Sequence, residues 1–432
     1  MPAGTSSIGP LDGLLEKSTR ESIQPTDSKI AENISTQLEL LRLVSESDVS
    51  EEEIAGLARQ HIANFFTQNQ RGFSKVSISA NDSCNLRCRH CYYEGTHVPH
   101  FEKNPPLNLE QWKKVINDLS DKGYKRFCIS GKEPLVTPIA TQSLVEYISK
   151  HPEAQLDLLT NGTLIAQNLD WLQNGATLYG ISIDGDETSH DVIRGEGNYQ
   201  KTKKGIEKLV KLVSSNRIVV NSTLMSHNFE SLVRGIKDIH SIGARFFKIG
   251  GFFPTVYNSG SILEPSYEDF DKLCRGLKEL EIKDGGAITA YLIPEENAPI
   301  IVGMYKAGLF DRDKLIEAEK RWKNLLGDLY IMLPVLNLPL DDSGRISVTV
   351  KTLPTNFYGN FRLHPNGEVG DLCIDLSNPD YMANNLGNIF TEGLDTILGK
   401  MQQAFEAHSR VFYRNFREEF KGQHSNNVKK TY

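Results

Sequence analysis

The chain is poor in cysteine, has no excess of basic residues and contains no long apolar run. Only six of its 432 residues are cysteine. Lysine and arginine number 48 against 55 aspartates and glutamates, a formal net charge of −7 that argues against a nucleic-acid partner. No apolar run could span a bilayer, and the first residues, 1–7, lack the basic and apolar regions of a signal peptide. We therefore expect a cytoplasmic, globular protein with no membrane partner.

Half of the cysteines fall in one short segment. Cys84, Cys88 and Cys91 lie within eight residues at CxxxCxxC spacing. Thiolates this close repel one another unless a metal ion or an iron–sulfur cluster neutralises them. Three cysteines cannot all pair as disulfides, and nothing indicates an oxidising compartment. Two interpretations remain open: a structural zinc site with His90 or a remote fourth ligand, or a cubane cluster with one iron free of protein ligands.

The middle of the chain has the pattern of parallel βα units. A first strand contains Val76 and Ile78 and runs into the cysteine segment. Further strands are predicted at 126–130, 155–159, 178–183, 217–224 and 245–249, and helices at 109–121, 201–213 and 229–241. These six units predict an α/β fold, a partial (β/α)6 TIM barrel. Polar loops at the carboxyl ends of its strands would form the active face.

The segments before and after the predicted barrel are expected to form additions to it. Residues 1–35 are expected to be a mobile leader, followed by helices at 36–44 and from Ser50, where Glu53 completes a capping box. The apolar stripe of the second helix comprises Ile54, Leu57, His61, Ile62, Phe65 and Phe66. We expect three domains: a leader and helical extension (1–70), the barrel core (71–260), and a small α+β cap over the substrate (261–432).

The C-terminal region has a weaker pattern. Helices are predicted at 267–280 and 313–326, an apolar packing segment at 333–340, a strand–turn–strand bending at 365–367, and a solvated helix after Ser409. Cys128 and Cys274 lie in a predicted strand and a predicted helix. We interpret both as core thiols.

The cysteine segment, in its place after the first strand, resembles the radical SAM superfamily. The family's CxxxCxΦC loop holds one [4Fe–4S] cluster, and S-adenosylmethionine (SAM) chelates the open iron. The resemblance implies that Cys84, Cys88 and Cys91 are the cluster ligands, and that His90, at the usually aromatic Φ position, lies against adenine. It also implies reduction of SAM by one electron, drawn from a flavodoxin or ferredoxin, to methionine and a 5′-deoxyadenosyl radical that abstracts a substrate hydrogen.

The segment Gly131-Lys-Glu-Pro134 resembles the family's Gly-Gly-Glu-Pro motif. That resemblance implies that Glu133 contacts the amino group of SAM. Lys132 replaces the second glycine. It is a candidate catalytic residue if it reaches a carboxylate or phosphate of the substrate, and otherwise a solvated charge at the end of a strand.

The segment Ser182-Ile-Asp-Gly185, with the later Arg194, resembles the fourth-strand signature of the family. The resemblance implies that Ser182 and Asp184 face the ribose or methionine end of SAM. Arg194 would pair with the SAM carboxylate through its planar guanidinium group. Asn221, on the fifth predicted strand, is a further candidate for the same pocket.

Residues 355–400 resemble a degenerate form of the family's SPASM region, in which several cysteines bind auxiliary clusters. Only Cys373 remains there, so we expect no auxiliary cluster and no acceptor for an electron from a substrate radical. A redox-neutral, lyase- or isomerase-type reaction is therefore favoured: elimination, rearrangement or epimerisation. Cys373 is a candidate hydrogen-atom donor for an epimerisation.

The substrate we expect is a sugar- or nucleoside-like intermediate of natural-product biosynthesis, entering past Phe252 and Phe253. A ribosomally made peptide is the alternative substrate. The alternative to an enzyme is a non-catalytic zinc-binding protein.

Overall fold

The computed structural model describes residues 25–46, 48–69, 75–91, 105–151, 153–252, 264–282, 285–326, 335–353, 361–370 and 386–422. The described strands form one twelve-stranded sheet. They are β1 (Lys75–Ser79), β2 (Arg126–Ser130), β3 (Gln155–Thr160), β4 (Leu178–Ser182), β5 (Ile218–Thr223), β6 (Phe246–Gly250), β7 (Ala287–Leu292), β8 (Val335–Pro339), β9 (Ile346–Lys351), β10 (Phe361–Leu363), β11 (Glu368–Gly370) and β12 (Gly387–Asn388).

The order across the sheet is β12-β11-β10-β1-β2-β3-β4-β5-β6-β7-β9-β8. All neighbours from β10 to β9 pair in parallel. Antiparallel pairing occurs only at the two ends of the described sheet, through β11, β12 and β8. The predicted partial TIM-barrel-like α/β fold is confirmed. The six predicted strands are present as β1 to β6, and β7, β9 and β10 extend their parallel run.

Helices connect the parallel strands and cover the ends of the sheet. The described helices are α1 (Asp27–Ser45), α2 (Glu51–Asn69), α3 (Leu109–Asp121), α4 (Pro138–Ile148), α5 (Leu169–Leu172), α6 (Glu187–Arg194), α7 (Asn198–Leu209), α8 (Phe229–Ser241), α9 (Tyr267–Lys278), α10 (Pro294–Lys306), α11 (Arg312–Leu326), α12 (Ile389–Glu392) and α13 (Leu394–Phe420). Helices α3 and α8 have the predicted bounds. Among the described helices, none is both long enough and apolar enough to cross a bilayer.

The side chains of successive strand residues point to opposite faces of the sheet, and the two faces differ in chemistry. The apolar face packs into the main hydrophobic core and includes Val76, Ile78, Phe127, Ile129, Leu156, Leu158, Ile181, Val220, Phe247, Ile249 and Ile288. The register of the strands places Lys75, Ser77, Arg126, Cys128, Asp157, Ser182, Asn221, Lys248, Thr289, Thr349 and Arg362 on the opposite, polar face. Helices cover the outside of a βα barrel, so the polar face is its interior.

Helix α1 begins earlier than predicted. Thr26 caps it by accepting a hydrogen bond from Lys29 N at 3.3 Å, and Ile30 and Ile34 are buried. Residues 27–35 are therefore helical, and their assignment to a mobile leader is wrong. Two apolar side chains one turn apart fix this segment against the body of the protein.

Helix α2 begins with the predicted capping box. Ser50 N donates to Glu53 Oε2 at 3.0 Å, and Glu53 N donates to Ser50 Oγ at 3.3 Å. Ile54 and Ile62 are buried as predicted, whereas Leu57 is exposed and does not belong to the buried stripe.

The C-terminal region supplies both the predicted turn and a packed helix. Strands β10 and β11 pair antiparallel around the bend at 365–367, as predicted. Helix α13 buries Phe412, Tyr413 and Phe416, and Tyr413 Oη donates to Thr352 O at 3.3 Å. The prediction of a solvated helix after Ser409 is therefore wrong, because its aromatic side chains form part of the core.

Candidate active site

Four consecutive parallel strands end at one edge of the sheet, each followed by a polar loop. Strand β1 leads into residues 80–91, β2 into 131–133, β3 into 161–163 and β4 into 183–186. The carboxyl ends of parallel strands meet at the same edge, so these loops lie together. The cysteine segment and the predicted SAM-binding motifs are thereby brought to one place.

Glu133 joins the loop after β2 to the loop after β3. One of its buried carboxylate oxygens accepts from Leu135 N at 3.0 Å and from Thr160 Oγ1 at 2.7 Å. The other accepts from Asn161 N at 2.7 Å. Burial raises the pKa of Glu133, although these hydrogen bonds oppose the shift. A carboxylate offers about four lone pairs, so one is left for a ligand's donor.

The cysteine segment is fixed to the same loop. Glu133 N donates to Ser83 O at 3.0 Å, and Asn81 Nδ2 donates to Glu133 O at 2.9 Å. The ammonium group of Lys132 lies 3.0 Å from Asp82 Oδ1, and both side chains are largely buried. Lys132 therefore ties the motif to the cysteine segment, an arrangement that sequence reasoning did not predict.

Asn85 and Asn161 connect the cysteine segment to the end of β3. Asn161 Nδ2 donates to Asn85 Oδ1 at 2.9 Å, and Asn85 Nδ2 donates to Thr163 Oγ1 at 3.0 Å. Sequence reasoning missed both asparagines as site residues. The signal was their position, since Asn85 follows Cys84 directly and Asn161 follows a predicted strand.

Gly131 allows the loop after β2 to pack against β1. Its φ of +107° lies in the region that glycine favours, and a Cβ there would lie 2.8 Å from Ser79 Oγ. The first glycine of the Gly131–Pro134 motif is thus required by its backbone conformation and by its close approach to Ser79.

Asp184 is the centre of a buried charged group. Its Oδ2 accepts from Arg194 Nε at 2.6 Å and lies 3.5 Å from His90 Nε2, while its Oδ1 accepts from Thr223 N at 2.8 Å. Burial alone would raise the pKa of Asp184, but the guanidinium of Arg194 and the nearby histidines hold it well below its ordinary value. Burial lowers the pKa of His90, which favours its neutral form.

The thiols of the cysteine segment are close enough to influence one another. Burial raises the pKa of Cys84 to about 11, and the Glu133 carboxylate, Cys88 and Cys91 act in the same direction. Burial also raises the pKa of Cys88, opposed by the guanidinium of Arg194. Thiolates at these positions therefore require additional positive charge beside them.

Residues 78–239 match the radical SAM superfamily. The match begins in β1, includes the cysteine segment and the loops after β2, β3 and β4, and ends in α8. Residues 78–239 are therefore a radical SAM domain. Members of the superfamily use a [4Fe–4S] cluster and SAM.

Curated relatives of this chain include two GTP 3′,8-cyclases. The protein of Haemophilus influenzae (strain PittGG) is 27% identical over 206 residues, and that of Pasteurella multocida (strain Pm70) is 29% identical over 207. Each alignment covers 45% of this chain and 60% of the relative. The chain thus spans about three fifths of the length of these relatives.

Among solved structures, Streptococcus suis SuiB resembles this chain in fold. It has been solved bound to its precursor peptide SuiA and bound to SAM. The similarity to the peptide complex has a TM-score of 0.51 and a sequence identity of 13%, covering 82% of this chain and 71% of SuiB. At that identity the likeness concerns the fold alone.

The cysteine segment has the donor chemistry of a radical SAM cluster loop. Cubane clusters are held by cysteine thiolates, and Cys84, Cys88 and Cys91 supply three, of which Cys88 and Cys91 are near enough to Arg194 to interact with its charge. Within the described residues, no group of three or more His, Cys, Asp or Glu side chains is already placed to hold a single metal ion.

The other predicted site residues differ in their surroundings. Ser182 is buried and its hydroxyl donates to Thr160 O at 3.2 Å, whereas Asn221 is partly exposed on the polar face. Phe252 is buried in a small cluster with Ile193 and Met225.

Cys373 and Phe253 lie outside the described residues. Cys128 and Cys274 are both buried, as expected of core thiols.

Replacing Glu133 with glutamine is expected to destabilise this site. Its three partners all donate, so the amide nitrogen of glutamine would face a donor and leave a buried group unsatisfied. We expect a loss of about 1–3 kcal/mol in the free energy of unfolding, measured by urea denaturation. The matched control is Glu146→Gln on the exposed side of α4, which should change little. Equal stability of both variants would contradict this account of Glu133.

Proposed function

We propose that this chain is a radical SAM enzyme that reductively cleaves SAM and abstracts a hydrogen atom from its substrate. The supporting observation is the joint position of the cysteine segment, Glu133 and Asp184 at one edge of the sheet. The match to the superfamily covers all of these residues. In this proposal residues 1–70, 71–260 and 261–432 act as N-terminal extension, barrel core and substrate-capping region.

Cys84, Cys88 and Cys91 would hold the single cluster. When bound, the cluster supplies the electron that divides SAM into methionine and a 5′-deoxyadenosyl radical. The remaining lone pair of Glu133 would accept from the SAM amino group, and neutral His90 would lie against the adenine. The role of each residue follows from the donor or acceptor it still offers.

Arg194 has two roles in this proposal. Its Nε–H is used by Asp184, and a guanidinium group has about five N–H donors, so others remain for the SAM carboxylate. Its charge also lies close enough to Cys88 and Cys91 to interact with both. Ser182 and Asn221 are proposed to line the same pocket, with Ser182 held by the carbonyl of Thr160.

For the substrate, we propose a sugar- or nucleoside-like natural-product intermediate changed without net oxidation, by elimination, rearrangement or epimerisation. Support comes from the curated relatives, whose name specifies a reaction on GTP. For an epimerisation, Cys373 is proposed as the hydrogen-atom donor and Lys132 as a substrate contact. A flavodoxin or ferredoxin would supply the electron. A ribosomal peptide is the alternative substrate.

Anaerobic reconstitution tests this function directly. Iron and sulfide are counted per chain, and then dithionite and SAM are added and 5′-deoxyadenosine is measured. We expect about four irons, about four sulfides and 5′-deoxyadenosine. About eight irons would contradict the proposal of a single cluster. Bound zinc without 5′-deoxyadenosine would contradict the proposed function and favour a non-catalytic zinc-binding protein.

A further inference from the structure

The cysteine segment has an inner side and an outer side. Leu86, Cys88 and His90 are buried. Arg87 and Arg89, which alternate with them, are exposed. The buried residues face the active edge, so the two exposed cations lie on the solvent side of the same segment.

The positive charge of Arg87 is held against the backbone of this segment. Its Nη1 donates to Cys84 O at 3.2 Å and to Leu86 O at 3.0 Å. Carbonyl oxygens carry no formal charge, so these hydrogen bonds orient the guanidinium group without neutralising it. Arg89 is fixed through its backbone, since Arg89 N donates to Ile193 O at 2.9 Å. In the described part of the chain, neither arginine pairs with a carboxylate.

Helix α7 adds a third exposed cation next to the segment. Thr202 Oγ1 donates to Asn161 O at 3.0 Å, and Asn161 Nδ2 donates to Asn85 Oδ1 at 2.9 Å, which joins α7 to the cysteine segment. Lys201, the neighbour of Thr202, is exposed, and its ammonium group donates to the neutral side chain of Asn198 at 3.2 Å. Its charge is therefore also available to a partner in solution.

Most acids near this surface are already engaged. Asp82 lies 3.0 Å from the ammonium group of Lys132, and Asp191 accepts from two backbone N–H groups at 2.7 and 2.8 Å. Glu187 lies at the far end of α6, and Glu196 is an exposed acid just after that helix. The surface is thus locally basic, although the whole chain has a formal net charge of −7.

We propose that Arg87, Arg89 and Lys201, together called the outer patch, bind an acidic protein that carries one electron to the cluster. The proposal rests on the proposed radical SAM function, which requires an external electron. The carrier loses one electron and the cluster gains it, while no bond or proton is transferred. An acidic carrier is repelled by a chain of net negative charge and attracted by a local basic patch, so the patch directs the encounter to this side.

The outer patch lies over the thiols that are proposed to hold the cluster. Cys84 and Cys91 are partly exposed, and Arg87 contacts the backbone of Cys84. A carrier on this side reaches the thiols without entering the SAM pocket, which lies on the inner side with His90. Complexes of electron carriers bury about 1,200 Å² or less, so a small patch with one exposed apolar neighbour, Val192 (54% exposed), is sufficient.

Carrier binding can be measured on the reconstituted protein without SAM or turnover. Oxidised acidic flavodoxin is titrated at low ionic strength, and its flavin fluorescence gives a Kd. The double variant Arg87→Glu with Arg89→Glu should raise this Kd about tenfold or more, because like charges then face each other. The difference should largely disappear in about 0.5 M salt, which screens exposed charges.

Reduction of the cluster separates docking from damage to the site. Bleaching of the visible absorbance measures the rate with reduced flavodoxin and, separately, with photoreduced 5-deazariboflavin, a small uncharged reductant. We expect the double variant to lose about tenfold or more with flavodoxin at low ionic strength and to stay within about twofold of the parent with 5-deazariboflavin. Equal losses with both reductants would refute the proposal.

The matched control is the double variant Lys237→Glu with Lys278→Glu, which changes the net charge by the same amount. Both lysines are exposed, and they lie in the second halves of α8 and α9, which run back from the active edge. This variant should bind flavodoxin within about threefold of the parent. The proposal is wrong if the control loses as much as the arginine variant, if the arginine variant binds as the parent does, or if flavodoxin does not bind the parent saturably. A patch that serves an acidic peptide substrate instead would leave both flavodoxin measurements unchanged.

Iron content identifies a variant in which the segment fails to form its site. Arg89→Glu alone then replaces the double variant, because the segment is held at Arg89 through its backbone nitrogen. Failure of the proposed function gives a different result, since a parent protein that lacks a cluster, or forms no 5′-deoxyadenosine with 5-deazariboflavin, fails before any carrier is added.

Discussion

Replacing Cys88 with alanine is expected to abolish both cluster loading and 5′-deoxyadenosine formation. Cys88 is the buried member of the three, and the pKa values of Cys84 and Arg194 both respond to its charge. Three local thiolates are the minimum for the cluster proposed here, and two leave a second iron without a protein ligand. Iron counting and chromatographic detection of 5′-deoxyadenosine measure the two losses independently.

A matched control comes from the thiols elsewhere in the core. Cys128 and Cys274 are as buried as Cys88, and neither lies at the active edge. Replacing either with alanine should leave about four irons per chain. Full SAM cleavage by the Cys88→Ala variant would refute the assignment of the cysteine segment, and iron loss in the Cys128→Ala variant would show that iron content reports on folding rather than on ligation.

Replacing Asp184 with alanine is expected to be the most destabilising single change in the charged group. The variant would leave Arg194 buried without the carboxylate that lies 2.6 Å from it. Breaking a buried pair by removing one partner costs about 3–5 kcal/mol, because the remaining charge is uncompensated. Urea denaturation of the cluster-free protein measures this loss without interference from cofactor binding.

Asp271 provides the control for this experiment. It pairs with Arg275 at the same 2.6 Å separation, but the two side chains are 46% and 66% exposed. Exposed ion pairs contribute about 1 kcal/mol or less to stability, so the Asp271→Ala variant should lose little free energy of unfolding. If both variants lose the same free energy of unfolding, burial of the Asp184–Arg194 pair does not explain its contribution to stability.

The contribution of Asp184 should also depend on pH. Its folded-state pKa lies below its ordinary value, so the native state favours the ionised form. The added stability is present above the ordinary carboxyl pKa of about 4 and is lost as the pH falls toward the folded-state pKa. The difference in stability between the parent and Asp184→Ala should therefore shrink below about pH 4.

The sequence predicted the elements that local patterns encode. Strand β2 and helices α3 and α8 have the predicted bounds, because each is a short apolar run or an amphipathic stripe between turn residues. The cysteine segment was singled out by its CxxxCxxC spacing, and Glu133 by the resemblance of residues 131–134 to a family motif. Strand order then brings them together.

Features that depend on distant contacts were not predicted. The strand–turn–strand around 365–367 was predicted, but the parallel pairing of its first strand, β10, with β1 was not. Phe412 and Phe416 are buried, although a solvated helix was predicted there. Nothing in the local sequence shows that α13 packs into the core. The pairing of Lys132 with Asp82 likewise joins two loops whose approach depends on the whole sheet.

The position of β10 has a consequence for synthesis of the chain on the ribosome. Val76 of β1 pairs with Phe361 of β10, a separation of 361 − 76 = 285 residues. Until residue 363 has emerged, the nascent barrel exposes the free edge of β1, the strand that leads into the cysteine segment. An unpaired strand edge is a template for wrong partners, and such distant pairing is slow to form. Completion of the sheet beside the cysteine segment must therefore wait for the C-terminal third of the protein.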